Sequence, residues 1–140
     1  MPIVSVSRPI NRKKLRAKSL IKKLFPFALA AITVVLAAAL GLSQTLGAHP
    51  FWAIKIALIG APAGAVLALI LRYATRFRWA SAFAALVLTS MAFAMAHMGK
   101  TRFAASYAED LQAGQLWYFG WIATALFATT TLALFWPKRR

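Results

Sequence analysis

Four long apolar stretches, separated by short polar segments, dominate the hydrophobic pattern of this chain. They cover residues 25–45, 51–73, 79–98 and 115–136. As helices rising about 1.5 Å per residue, each is long enough to cross a hydrocarbon core of about 30 Å. The pattern therefore predicts an all-α integral membrane protein in which four transmembrane helices form a bundle.

The second stretch carries the pattern that is most specific for helix packing, and we expect the other helices to pack around it. Gly60, Gly64 and Ala68 recur every four residues and therefore share one helix face. Another backbone can approach such a face closely, which is the usual way in which membrane helices associate. Pro62 lacks an N–H in the same turn and is expected to kink the helix.

Basic residues lie mainly on one side of the predicted bundle, and this asymmetry predicts its orientation. Residues 1–24 contain eight basic residues and no acid, the connection at 72–78 contains three, and residues 138–140 are all basic. The positive-inside rule places these segments, and hence both termini, in the cytoplasm. We expect a bacterial inner membrane, and the acid-free N-terminal segment leaves a mitochondrial inner membrane open.

The N-terminal segment 1–24 is predicted to be a basic amphipathic tail that leads into the first span. Its apolar residues recur at helical spacing from Leu15 onward, with lysines off the apolar stripe. We expect it to bind the anionic inner leaflet or a partner protein. Nucleic-acid binding is disfavoured, because membrane orientation alone accounts for basic flanks. The candidate binding residues are Arg12, Lys13, Lys14, Arg16, Lys18, Lys22 and Lys23.

Residues 1–48 also have the order of a secretory signal peptide: a basic region, an apolar region and small residues near Ala48. Two features favour an uncleaved first span instead. The apolar part is longer than the roughly 7–15 residues of a signal peptide, and Leu46 interrupts the small-residue cleavage pattern.

Composition supports the membrane class and narrows the chemistry. The chain is 61% hydrophobic, with a mean hydropathy of +0.68 and a net charge of +15. It has no cysteine, which excludes disulfides, thiolate metal ligands and cysteine nucleophiles. No carboxylate lies in a predicted span, which disfavours transport coupled through such a group. No base is oriented towards a serine, so we expect no enzymatic activity.

The two histidines and the two carboxylates all lie on the predicted outer side, at His49, His97, Glu109 and Asp110. Two imidazoles and two carboxylates could bind Zn²⁺ or Cu²⁺, and two imidazoles could ligate a haem. Polar residues also collect at an interface simply because hydrocarbon excludes them. No HxxxH or HExxH spacing supports a metal site, and no other cofactor is indicated.

These observations favour a non-catalytic accessory or assembly subunit of a larger membrane complex, with anionic lipids and other membrane subunits as partners. A homo-oligomeric channel or small transporter is the alternative. Such proteins normally carry a polar stripe along a span, whereas this chain has only scattered Ser and Thr. Metal or haem binding by the outer histidines is a further alternative.

Overall fold

The computed structural model describes residues 12–137, and the elements in that range are all helical. They are α1 (Arg12–Ala39), α2 (Leu42–Thr45), α3 (Ala53–Ala74), α4 (Arg78–Ala105) and α5 (Leu111–Phe135). The helices α1, α3, α4 and α5 are long and apolar enough to cross a membrane. The predicted all-α class with four potential spans is therefore confirmed.

The central helix of the bundle is α5, because it packs against α1, α3 and α4. In contrast, α3 packs on α5 and α1 but barely touches α4. This differs from the prediction that the other helices pack around residues 51–73. The reason is that α5 has small residues on two of its faces, where Gly120 lies against α4 and Ala125 lies against α3.

Two buried clusters define the ends of the bundle. One contains Phe27 from the middle of α1, Ala68 near the end of α3, Ala82 near the start of α4 and Leu134 near the end of α5. We call this the basic end, because the α3–α4 turn lies there, with Arg76 in the turn and Arg72 and Arg78 in the helix ends on either side of it. The opposite cluster contains Ala48, Ala53, Ile56, Ala96 and Trp121, with Trp52, Trp117 and Tyr118 packed on it. We call it the aromatic end.

The first span differs from the predicted 25–45 at both ends. Helix α1 is continuous from Arg12, so the basic residues of the tail and the apolar span belong to one helix. It ends at Ala39, before the predicted end at residue 45, because Gly41 adopts a left-handed conformation with φ of 90°. Such a glycine ends a helix, since it has no Cβ to clash in that conformation.

The predicted outer loop at residues 99–114 is mostly helical. Helix α4 continues to Ala105, and α5 begins at Leu111, which leaves a short turn between them. Lys100 and Arg102 suit the last turns of a helix, where cations interact favourably with its dipole. Asp110 starts α5, because its side chain accepts a hydrogen bond of 2.9 Å from the Ala113 N–H.

Candidate functional site

The glycine face predicted on α3 lies directly against α5. A Cβ added at Gly60 would lie 2.7 Å from the Ala125 Cβ, and one added at Gly64 would lie 2.9 Å from the Thr129 Cβ. Real Cβ atoms do not approach other carbons so closely, so this contact between the two backbones depends on glycine at both positions.

The other two predicted packing residues have different surroundings. Ala68 is fully buried in the cluster at the basic end, where it packs near Phe27 of α1. Pro62 is exposed, on the side of α3 that faces away from α5. Helix α3 nevertheless runs through Pro62 from Ala53 to Ala74.

Three consecutive threonines of α5 lie in the buried core and donate hydrogen bonds to backbone carbonyls. Thr129 and Thr131 donate to the carbonyls of Ala125 and Phe127, four residues earlier in α5. Thr130 donates both to Leu126 O at 2.9 Å and to Gly64 O of α3 at 3.0 Å. The threonines therefore act in packing, and Thr130 links α5 to the glycine face of α3.

A second close contact, between α4 and α5, was missed in the sequence. A Cβ at Gly120 would lie 2.8 Å from Ala96 Cα, and one at Gly99 would lie 2.8 Å from Ala113 O. The sequence does contain a pattern that indicates this contact, because Ala92, Ala96 and Gly99 lie on one face of α4 at helical spacing. It was obscured by the abundance of alanine throughout this helix.

At the aromatic end, His49 belongs to a cluster of rings. It stacks on Trp52 with centroids 5.9 Å apart, and meets the edge of Trp117 at 5.8 Å. The Nδ1 atom of His49 accepts a hydrogen bond from the Phe51 N–H at 3.2 Å. Trp117 Nε1 donates to Gly47 O at 3.1 Å, which ties the turn before α3 to α5. The ring of His49 is therefore held by aromatic packing and by one hydrogen bond within this cluster.

His97 lies on the other side of the same turn, stacked on Phe93. A Cβ placed on Gly47 would lie 3.9 Å from His97 Nδ1 and 3.2 Å from Lys100 Nζ. The histidines thus flank one turn, but so does the positive charge of Lys100, which would repel a metal cation.

The two carboxylates do not join the histidines in a cluster. Asp110 caps α5 and pairs with Arg102 at 3.2 Å, and Glu109 is exposed in the preceding turn. Within residues 12–137, no group of three or more His, Cys, Asp or Glu side chains could hold a metal ion. The carboxylates thus add no ligand to the two histidines, and binding of a metal or haem by His49 and His97 stays a prediction.

The seven predicted tail residues are all exposed on the N-terminal half of α1. Phe27 lies level with the α3–α4 turn, because the Arg72 guanidinium is 5.5 Å from its ring centroid. At 1.5 Å per residue, α1 therefore extends about 20 Å beyond that level to Arg12. The basic residues form a projection outside the packed bundle.

The α3–α4 turn at the basic end forms a cleft, which the sequence pattern does not predict. Its volume is ≈ 420 Å³, and Arg72, Thr75, Arg76, Arg78 and Trp79 are among its lining residues. The sequence showed three arginines in a connection, which was interpreted only as an orientation signal. That they line one concave surface depends on the geometry of the turn.

The outward face of α4 is a second uncovered surface. Val87, Met91, Met95 and Met98 lie on it, and between 44% and 58% of each side chain is exposed. The spacing of the methionines, at i, i+4 and i+7, places them on one stripe. We call these four residues the methionine face.

The chain has no match among known protein families, curated proteins or solved structures. Any proposal about its function therefore rests on the sequence and the geometry described above.

Proposed function

We propose that this protein is a non-catalytic accessory or assembly subunit of a larger membrane complex, and that it docks through the methionine face. The observation that carries the proposal is that α4 packs almost entirely against α5, on one side only. Met91, Met95 and Met98 are consequently left uncovered along the other side.

Methionine suits such a surface, because its unbranched and polarisable side chain adapts to the shape of a partner. Apolar exposure alone does not drive association in lipid, where helices associate through close packing and polar contacts. Ala94 is also exposed beside the methionines, and its small side chain would let the backbone of a partner helix approach closely.

The polar side chains of the core support a packing role over a transport role. The hydroxyl groups of Thr129, Thr130 and Thr131 all donate to backbone carbonyls. Thr129 and Thr131 bond within α5 and Thr130 also bonds to α3, so these hydroxyls are engaged inside the bundle, which favours a packing role over a role as ligands for a transported substrate.

The charge distribution supports an orientation with the basic end in the cytoplasm, in a bacterial inner membrane. In this orientation, the basic half of α1 and the α3–α4 turn face an anionic leaflet, which attracts Lys and Arg by about 1 kcal/mol per residue near the surface. The aromatic end, with Trp52 and Trp117, then lies at the opposite interface, where such side chains are favoured.

Site-specific photo-crosslinking tests the docking surface. A photoreactive amino acid replaces Met91 or Met95 in cells, and the matched controls carry it at Ile32 of α1 or Ile70 of α3, which are 53% and 56% exposed. We expect the α4 positions to yield one discrete protein adduct and the control positions to yield none.

The crosslinking outcomes separate the functional classes. An adduct with a different membrane protein from the α4 positions alone supports the proposal. An adduct of twice the chain mass of 15.3 kDa contradicts it and favours the homo-oligomer. Equal adduct formation at all four positions, or no protein adduct at any of them, also contradicts docking through the methionine face.

A further inference from the structure

The cleft at the α3–α4 turn carries positive charge that the described residues do not neutralise. Arg72, Arg76 and Arg78 all line it. The only carboxylate side chains of the chain, Glu109 and Asp110, lie in the turn between α4 and α5, at the aromatic end. No carboxylate side chain of this chain therefore lies at the cleft, which favours an anion from outside the bundle as the partner of the three guanidinium groups.

Arg72 shows the clearest need for such a partner. Its Nη1 atom is buried and has no hydrogen-bond partner among residues 12–137, while the guanidinium lies against the Phe27 ring of α1. A buried charged donor without an acceptor is unfavourable, and an anion in the cleft that Arg72 lines would supply an acceptor for its guanidinium group.

The walls of the cleft are held in place by local hydrogen bonds. Thr75 Oγ1 donates to Leu71 O at 2.7 Å and lies 3.2 Å from Ser81 Oγ, which joins the end of α3 to the first turn of α4. Arg78 lies over the Trp79 ring at 4.8 Å. The arginines are therefore displayed by an ordered turn.

The first residues of α4, Arg78, Trp79 and Ala80, line the same cleft. Phe77 precedes the helix and supplies no side-chain cap for its first N–H groups. Uncapped N–H groups and the positive end of the helix dipole both favour an anion at this position.

An apolar groove runs down the bundle from this cleft. It lies between α3 and α4, has a volume of ≈ 310 Å³, and includes Leu67, Leu71, Ala84, Leu88 and Phe127 in its lining. It adjoins the cleft because Leu71 precedes Arg72 on α3, and Ser81 of the groove follows Ala80 of the cleft on α4. The polar lining of the cleft and the apolar lining of the groove are thus adjacent along both α3 and α4.

We propose that the cleft and the groove together bind one anionic phospholipid. Its phosphate is held by Arg72, Arg76 and Arg78, and one acyl chain lies in the α3–α4 groove. Guanidinium groups suit this role, because their planar N–H donors pair with phosphate oxygens in a bidentate manner. The site shares no residue with the methionine face and does not depend on the proposed docking.

The test measures lipid binding to the full-length protein, purified and delipidated in a neutral detergent, by native mass spectrometry. The probes are phosphatidylglycerol, phosphatidylcholine with the same acyl chains, and inorganic phosphate. We expect phosphatidylglycerol to bind at one site with higher affinity than either of the other two.

Variants that each remove one positive charge distinguish a specific binding site from non-specific electrostatic attraction. Arg72→Gln should weaken phosphatidylglycerol binding by about tenfold, the effect of losing one charge-assisted hydrogen bond. Lys55→Gln on α3 removes the same charge away from the site and should leave the affinity within about twofold of wild type, because Lys55 is exposed and lines neither the cleft nor the groove.

Two further variants keep the test decisive if Arg72→Gln also loosens the contact with Phe27. The double substitution Arg76→Gln/Arg78→Gln should weaken binding at least as much. Its control is Lys55→Gln/Lys100→Gln, which removes two charges that lie outside the cleft and the groove. Ala84→Phe fills the groove and should weaken the binding of phosphatidylglycerol while leaving the binding of inorganic phosphate unchanged.

Three results would overturn the proposal. The first is equal loss of affinity in the arginine and lysine variants, which would mean non-specific electrostatic attraction. The second is inorganic phosphate binding as tightly as phosphatidylglycerol, together with phosphatidylglycerol binding that Ala84→Phe does not weaken, which would make this a site for a soluble anion. The third is equal binding of phosphatidylcholine and phosphatidylglycerol.

Discussion

Adding a single methyl group at Gly64 tests the contact between α3 and α5. In Gly64→Ala, the new Cβ would lie 2.9 Å from both the carbonyl carbon of Leu126 and the Cβ of Thr129. Carbon atoms in favourable contact are separated by about 3.5–4.0 Å. The helices must therefore separate by more than half an ångström, and no rotamer change relieves the contact, because the neighbouring atoms are mainly backbone.

Two opposing effects determine how much Gly64→Ala changes the free energy of unfolding. Overpacking a well-packed contact costs about 1–3 kcal/mol. Replacing glycine by alanine inside a helix returns up to about 1 kcal/mol of helix propensity. We therefore expect a net loss of about 1–2 kcal/mol, because the steric cost exceeds the gain in propensity. For a chain of this size, each kcal/mol corresponds to a fall in Tm of about 2–4 °C.

The assay is thermal unfolding in mild detergent, followed through tryptophan fluorescence, because Trp121 is buried in the bundle. Gly114→Ala is the matched control. It gains similar helix propensity, but its Cβ would meet only the ring of Phe103, at 3.1 Å, and that side chain can move. Ala63→Leu, at an exposed position of α3, is a second control and should be mild.

The comparison between the two glycine variants decides the outcome. If Gly64→Ala is as stable as Gly114→Ala or more stable, the close approach of α3 and α5 does not limit stability, and the reasoning is refuted. Loss of stability in Ala63→Leu equal to that in Gly64→Ala would also refute it, because the effect would not depend on the face.

The remaining predictions concern the threonine link and the orientation. Thr130→Val should destabilise the bundle by about 0.6 kcal/mol, a typical value for interhelical hydrogen bonds in membranes. Thr131→Val should be nearly neutral, because Thr131 bonds only within α5. If both variants lower the Tm equally in thermal unfolding, the hydrogen bond from Thr130 to Gly64 does not stabilise the bundle. Reporter fusions at Ala48 and Ala105 should read as external and a fusion at Thr75 as cytoplasmic. A cytoplasmic Ala105 reporter would contradict the proposed topology.

Much of the fold could be predicted because it depends on local sequence. The presence of four potential spans follows from four apolar stretches of sufficient length, and the all-helical class follows from the need to satisfy the backbone within each span. Gly60 and Gly64 share a face through helical spacing alone, whatever they contact.

Helix ends were less predictable, because they depend on single residues and on dipole effects. Hydropathy extended the first span to residue 45, whereas the left-handed Gly41 ends α1 at Ala39. The hydropathy pattern also predicts a loop at Lys100 and Arg102, although both residues belong to α4. A search for a helix-starting carboxylate would have found Asp110.

Only the tertiary structure decided which helices meet. Periodicity shows that a face is small but not what lies against it, and alanine-rich helices offer several such faces. The central position of α5, the uncovered methionine face of α4 and the groove between α3 and α4 all follow from this choice of partners. The sequence alone determined that Arg72, Arg76 and Arg78 are close along the chain. Their arrangement around one cleft, beside an apolar groove, depends on the turn between two helices that barely touch.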